Sequence, residues 1–250
     1  MPPTTLILAA TRPELAPAVA TLGLRWHGRT QAEGDHHHGR IIAHLTGVGP
    51  ARAVATLDQQ WARTPPDTVI SLGFAGGLAP HLPAGHVAII HTVTHTTHDR
   101  LDLTPQPPIP NPQSPPAATL LTLNRMAATV ADKRDLHQRF AADLVDMETH
   151  PLAVRVRGLA REAGRPVRFL ALRAVSDPAD VALPPEMRHW VDAQGQPRAA
   201  AVLAWLARHP HRLPMLMRLH RDTTRAARAL AASLPALLTP TPKPKRSERG

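Results

Sequence analysis

The chain contains no cysteine and no tyrosine, and aromatic residues make up only 3% of it. The first absence excludes disulfides, a thiolate nucleophile and every Cys-ligated metal site. The scarcity of aromatics implies a core of Ala, Leu and Val, and it removes the stacking platforms that hold single-stranded nucleic acid. Acids are also few: 19 Asp and Glu stand against 29 Lys and Arg, a formal charge of +10 that favours anionic partners such as phosphate, anionic lipid or nucleic acid. No apolar run approaches the ~18 residues of a spanning helix, and residues 1–5 (MPPTT) do not open like a signal peptide, so a cytoplasmic location is expected. No solenoid repeat and no nucleic-acid-binding motif is present, and no nucleic-acid partner is expected.

What is present suffices for one large domain, with 43% hydrophobic residues over 250 positions. Residues 5–10 predict a short buried strand and 14–22 a helix, after Thr11-Arg12-Pro13 places Pro at a first helical turn. A second β-turn-α unit follows, with a strand over 40–46, the tight turn Gly47-Val48-Gly49-Pro50 and a helix over 51–61. A third strand over 68–72 runs into the glycine stretch 71–78 (SLGFAGGL), and a fourth covers 85–92. Residues 103–116 are proline-rich and aperiodic, an irregular surface excursion. Helices are predicted over 116–124, 131–140, 151–163, 199–207 and 213–238, with an apolar strand over 167–175, and the tail 239–250 is expected to be disordered. The alternation implies an α/β fold.

Several stretches carry candidate chemistry. Closely spaced glycines at a strand end let backbone amides approach a ligand, although plain turn chemistry gives the same pattern. Glu14 sits where a first-turn carboxylate either meets the helix dipole or reaches a ligand at the strand end. The amides of turn 47–50, with Arg52 nearby, suit an anion. In residues 142–150 (ADLVDMETH) acids lie within an apolar run, where burial is costly unless the charge is paired or used. Asp177, after the strand over 167–175, is either a helix N-cap or a proton donor to a bound base. The run Asp35-His36-His37-His38 has the look of a solvated hairpin tip, and no metal site is expected. From 213 onward, Arg218, Arg221, Arg225 and Arg228 recur at three- and four-residue spacing beside an apolar stripe, the pattern of a packed surface helix or of a membrane-surface helix.

Residues 71–80 with Gly85 (SLGFAGGLAPHLPAG), 145–153 (VDMETHPLA) and 172–180 (LRAVSDPAD), in this order, resemble the nucleoside phosphorylase and nucleosidase superfamily, especially its methylthioadenosine/S-adenosylhomocysteine nucleosidase branch. Residues 177–185, 201–206, 213–214 and 221–223 are similar to the hopanoid-associated phosphorylases, which implies phosphorolytic release of adenine from adenosylhopane. The resemblance further implies a single three-layer α/β domain over 1–238, a central mixed sheet flanked by helices, and Asp177 as the acid that protonates the purine, beside Ser176. It implies Glu148 as acceptor for the ribose hydroxyls with Met147 packed on the sugar, and Glu14 as the residue that orients water in the hydrolytic branch. Gly73, Phe74, Ala75 and Gly76 are expected to line the substrate pocket, the Phe74 ring suiting a large apolar 5′ substituent. Related purine phosphorylases carry an arginine where this chain has Ser71, and nucleosidases a serine where it has Phe74. Phosphate is therefore expected to rely on backbone amides and on Arg12 or Arg52. Inorganic phosphate is the implied co-substrate, with no cofactor. A lipid-linked adenine nucleoside, an anionic membrane surface and a second copy of the chain are the implied partners. A soluble nucleosidase for small 5′-thioadenosines, and a basic membrane-surface protein on a nucleosidase scaffold, are the alternatives.

Overall fold

The computed structural model describes residues 3–36, 39–103, 115–190, 192 and 198–238. It opens with β1 (Thr4–Ala9) and α1 (Arg12–Thr21) as expected, adds the edge strand β2 (Arg25–His27) and its neighbour β3 (Gln31–His36), then resumes the expected order with β4 (Gly39–Leu45) and α2 (Pro50–Arg63). It continues through β5 (Thr68–Gly77), β6 (Val87–His95), β7 (Arg100–Asp102), β8 (Ala117–Thr122), α3 (Val130–Phe140), β9 (Leu144–Asp146) and α4 (Thr149–Glu162). The last elements are β10 (Arg168–Asp177), α5 (Ala199–Arg208) and α6 (Leu213–Leu238). Ten strands form one mixed sheet. β4, β1, β5 and β10 run parallel, and β5 pairs with both β10 and β9, so that β5, β10, β6, β8 and β9 close into a ring.

Helices cover both faces. Leu15, Ala18 and Val19 of α1 and Ala226, Leu230, Leu234 and Leu237 of α6 bury against Ile7, Ile70 and Leu172 on one face. On the other, Leu57 of α2 and Leu152, Val156 and Leu159 of α4 pack on Leu6, Leu8 and Val69. The expected three-layer α/β fold is therefore present. Small Ala75, Ala88 and Ala171 on the ring strands, with Ala153 of α4, pack with Ile90, Leu120 and Val175, where larger side chains would overpack the cluster.

β2, β3, β7 and β9 are not among the predicted strands, and two further elements differ from expectation. Residues 116–124, predicted helical from their alanines, hold β8, wedged between β6 and β9, where Leu120 and Leu121 are fully buried. The slot between two strands overrides a weak local preference. β5 does not stop at Leu72 but continues through the glycines to Gly77, paired with β10 and then β9. The excursion at 103–116 lies outside the described residues apart from Leu103, Pro115 and Pro116, as do His37, His38 and the whole tail 239–250.

Candidate active site

β1, β4, β5 and β10 end on the same side of the sheet, where ligands of open α/β folds collect. After β1 the chain turns at Thr11 into α1, and Glu14 folds back over that turn. Its Oε2 accepts from the Thr11 amide at 2.6 Å and the Thr11 hydroxyl at 2.8 Å, while Oε1 accepts from the Phe74 amide at 2.8 Å. Glu14 is thus a buried carboxyl joining α1 to β5 rather than a solvated first-turn acid, and burial raises its pKa against the pull of those donors. Gly73 is required by this approach, because a Cβ there would lie 3.0 Å from Glu14 Oε1 and 3.5 Å from Arg173 Nη1.

Glu148 begins α4, and its Oε1 accepts from the Gly49 amide at 2.8 Å. Gly49 has φ +106, a backbone conformation that L side chains rarely adopt. The anion held by turn 47–50 is therefore the protein's own carboxylate, which leaves that amide engaged. Burial first, then the neighbouring Asp146 charge, push the Glu148 carboxyl up to about 7. Asp146 itself forms a buried ion pair with Arg173: Nε and Nη2 donate to Oδ2 at 3.1 and 2.8 Å. Thr122 donates to Oδ1 at 2.7 Å, and the Thr149 amide and hydroxyl donate to Oδ2. Arg173 also reaches Ser71 Oγ at 2.8 Å, so a guanidinium does stand beside Ser71, supplied from β10 and already neutralised.

At the end of β10 the pairing with β5 shifts between Val175 and Asp177, making Ser176 the extra residue of a β-bulge. Bulges of this kind re-aim side chains beside active sites. Ser176 donates to Asp177 Oδ1 at 2.6 Å, and Asp177 Oδ2 accepts from Lys133 Nζ at 2.6 Å. Burial raises the Asp177 pKa and the Lys133 ammonium opposes it. Gly76 leaves room for this carboxyl, since a Cβ would meet Val145 Cγ1 at 3.0 Å and Asp177 Oδ2 at 3.2 Å. No helix follows Asp177 directly, so it is no N-cap.

An open cleft of about 740 Å³ is bounded by Glu14, Phe74, Ala75, Gly76, Met147, Glu148, Ser176 and Asp177 together. Below it, a smaller space of about 270 Å³ is shared by Glu14, Ser71, Gly73, Phe74, Glu148 and Arg173. Three motifs scattered along the sequence thus meet at one place. Arg12 and Arg52 do not border either space: the Arg12 guanidinium lies 4.3 Å over the Trp26 ring, and Arg52 is exposed on α2. Sequence reasoning missed Arg173 and Lys133, although an arginine within an otherwise apolar strand was a usable signal. Among the described residues no cluster of His, Asp and Glu is arranged to hold a metal ion.

Over 95% of its length the chain is similar to futalosine hydrolase of Helicobacter pylori strain 26695, covering 97% of that chain at 17% identity and a TM-score of 0.66. An S-adenosylhomocysteine nucleosidase from Streptococcus pyogenes, solved with 5-methylthiotubericidin, gives 19% identity and a TM-score of 0.67 over 95% of this chain and 98% of that one. For a 5′-methylthioadenosine/S-adenosylhomocysteine nucleosidase from Helicobacter pylori the figures are 17%, 0.64, 94% and 97%. No curated protein sequence matches. At these identities the likeness speaks for the fold. The family model described as Phosphorylase superfamily matches residues 4–129 and 118–208, which takes in every residue that borders the cleft. The chain belongs to the Phosphorylase superfamily.

Proposed function

We propose that this enzyme cleaves the N-ribosidic bond of an adenine nucleoside, and that its substrate is adenosylhopane, from which it releases adenine. One observation carries the reaction class: Glu14, Glu148 and Asp177 converge on a single cleft from three distant elements. Breaking this bond requires a proton for the leaving base and negative charge beside the cationic sugar. Asp177, held between Ser176 and Lys133, is the acid; Glu148 accepts from the ribose hydroxyls and faces the oxocarbenium-like sugar, an interaction that grows toward the transition state. The solved relatives include nucleosidases bound to analogues of adenine nucleosides, which supports that ligand class.

For the lipid substituent the support is the similarity of residues 177–185, 201–206, 213–214 and 221–223 to the hopanoid-associated phosphorylases. The apolar wall formed by Val48, Phe74, Met126, Leu183 and Met187 also suits a hydrocarbon at the 5′ position. A polycyclic lipid stays in the bilayer, so peripheral contact with an anionic membrane from the cytoplasmic side belongs to the same proposal. The family resemblance adds a homo-oligomer.

The same resemblance makes phosphate the nucleophile. Hydrolysis has one observation in its favour, the state of the nearby donors: Arg173 is bound to Asp146, Arg125 to Asp132 and the Gly49 amide to Glu148. Glu14 then orients the attacking water. Purified protein incubated with adenosylhopane and with 5′-methylthioadenosine, each with and without phosphate, tests the whole reading by chromatography of adenine and sugar products. Phosphate-dependent adenine release from adenosylhopane is expected. Free ribosyl product at an unchanged rate without phosphate selects hydrolysis, faster turnover of 5′-methylthioadenosine overturns the lipid substrate, and no adenine from either overturns the reaction class.

A further inference from the structure

Among the described residues Lys133 is the largest fully buried side chain, and the reaction as described has no use for it. It projects from the first turn of α3, and its Nζ donates to Asp177 Oδ2 at 2.6 Å, to the carbonyls of Pro178 and Val181 at 2.9 Å each, and to the Asp177 carbonyl at 3.2 Å. An ammonium ion removed from water costs several kcal/mol even after relaxation. For clamping a loop onto a helix, an uncharged donor meets the three carbonyls at less cost. What only the charge serves is the carboxyl of Asp177.

That carboxyl must meet two opposed demands. It must hold a proton before reaction, and it must release that proton to a ring nitrogen as the bond from the sugar carbon to the base breaks and its electron pair passes into the purine. A dry site alone satisfies the first demand too well, because it favours the neutral acid without limit. A fixed cation at 2.6 Å stabilises the carboxylate that remains once the proton has moved, and so restores acid strength where the reaction needs it. We propose that Lys133 is the positioning residue of the leaving-group acid, orienting Asp177 and setting how readily it yields its proton to the departing base. The inference rests on the adenine-nucleoside reading above.

The other charged groups around the site leave this role to Lys133. Across the cleft stand Glu14, Glu148, Asp146 with its partner Arg173, and Arg125 with its partner Asp132. On the α6 side, Asp180, Arg218 and Asp222 border the neighbouring groove that Ser176 shares. Among the described residues, Lys133 alone forms an ion pair with Asp177. The opposition between burial and this cation on the Asp177 proton agrees with the assignment.

The test is the pH dependence of kcat/KM for adenine release from whichever of 5′-methylthioadenosine and adenosylhopane is turned over, in Lys133→Gln and Lys133→Met. Loss of the Asp177 proton defines the alkaline limb. Without the cation the carboxyl holds its proton harder, so that limb moves up by about 1–3 units. Plateau kcat falls by about 10–100-fold, with KM little changed. A limb that coincides with the wild type in a folded variant overturns the proposal and leaves Lys133 a loop clamp. Asp177→Asn, run in parallel, separates the two readings: near wild-type turnover there removes the acid itself, whereas an inactive Asp177→Asn with an unmoved limb in Lys133→Gln removes only the role of Lys133. In the unaltered enzyme, the ¹⁵N resonance of Lys133 Nζ steps at the pH of the alkaline limb. A flat resonance across that limb overturns the proposal without any variant.

Discussion

At Glu148, burial and the Asp146 carboxylate favour the protonated acid, while the Gly49 amide and Arg173 favour the anion, and the balance leaves the group at about 7. In its proposed role as acceptor for the ribose hydroxyls Glu148 works as the anion, so kcat/KM should rise through about pH 7 and reach its plateau above it. A pH series of adenine release, with Glu148→Gln alongside, checks this; a profile flat from pH 5.5 to 8 argues against Glu148 as a charged participant. The same shift has a consequence for stability. A carboxyl whose folded pKa lies above its unfolded value of 4.5 contributes stability below that value, and the contribution is lost as pH rises through about 7. The Tm of the wild type relative to Glu148→Gln should therefore fall between pH 5 and 8. At Asp177, the carboxamide variant should keep nucleoside binding and lose turnover by about 10²–10⁴-fold. Glu14, Glu148 and Asp177 were all legible in the sequence, because a carboxylate beside or within an apolar run is a visible anomaly. Their partners were not: an arginine within an apolar strand marks Arg173 as unusual, but nothing local to it or to Lys133 says which distant group it meets.

Among the elements, β5 is the one whose reading changed most. Its glycines suggest a turn with free amides, yet the strand runs on to Gly77, and Gly73 and Gly76 have ordinary strand dihedrals. Their value is the missing side chain, which admits the Glu14 and Asp177 carboxyls to the strand backbone. Gly76→Ala should push Asp177 out of place and lower kcat by about 10²-fold, the usual effect of an ångström-sized misplacement. Its overpacking against Val145 should cost about 1–3 kcal/mol. Denaturant titration and steady-state kinetics on one preparation check both, and full activity would mean that the close approach is dispensable. β8 shows the opposite kind of change, an alanine-rich stretch drawn into a strand by the slot between β6 and β9.

Over the whole molecule, charge and apolar surface coincide at the C-terminal helices. Residues 198–221 carry five arginines and no acid. Among the described residues, three of the four large hydrophobic residues that stand exposed, Leu203 at 64%, Leu213 at 46% and Met217 at 65%, lie in the same stretch. The later part of α6 packs Ala226, Leu230, Leu234 and Leu237 on the sheet, so the helix is a core element over that part and a surface element at its start. No described helix is long and apolar enough to cross a membrane, and the membrane association proposed above is a surface contact. The protein should co-sediment with anionic vesicles, less at high salt, and a Leu213→Ser, Met217→Ser double variant should bind more weakly with its fold intact. Equal binding to zwitterionic vesicles would remove the electrostatic part.

The sequence by itself determined the β-α alternation of the opening units, the bounds of α6, and the three acids as candidates. Each of these rests on a pattern read over a few neighbouring residues. Only the tertiary structure decided which cations reach the acids. In the sequence Arg12 lies beside the turn after β1 and Arg52 beside the glycine turn 47–50, yet both stand outside the cleft, whereas Arg173 meets Ser71 across 102 residues and Lys133 meets Asp177 across 44. Such pairs depend on strand register and on the packing of α3 against the end of β10, and no local pattern encodes those distances.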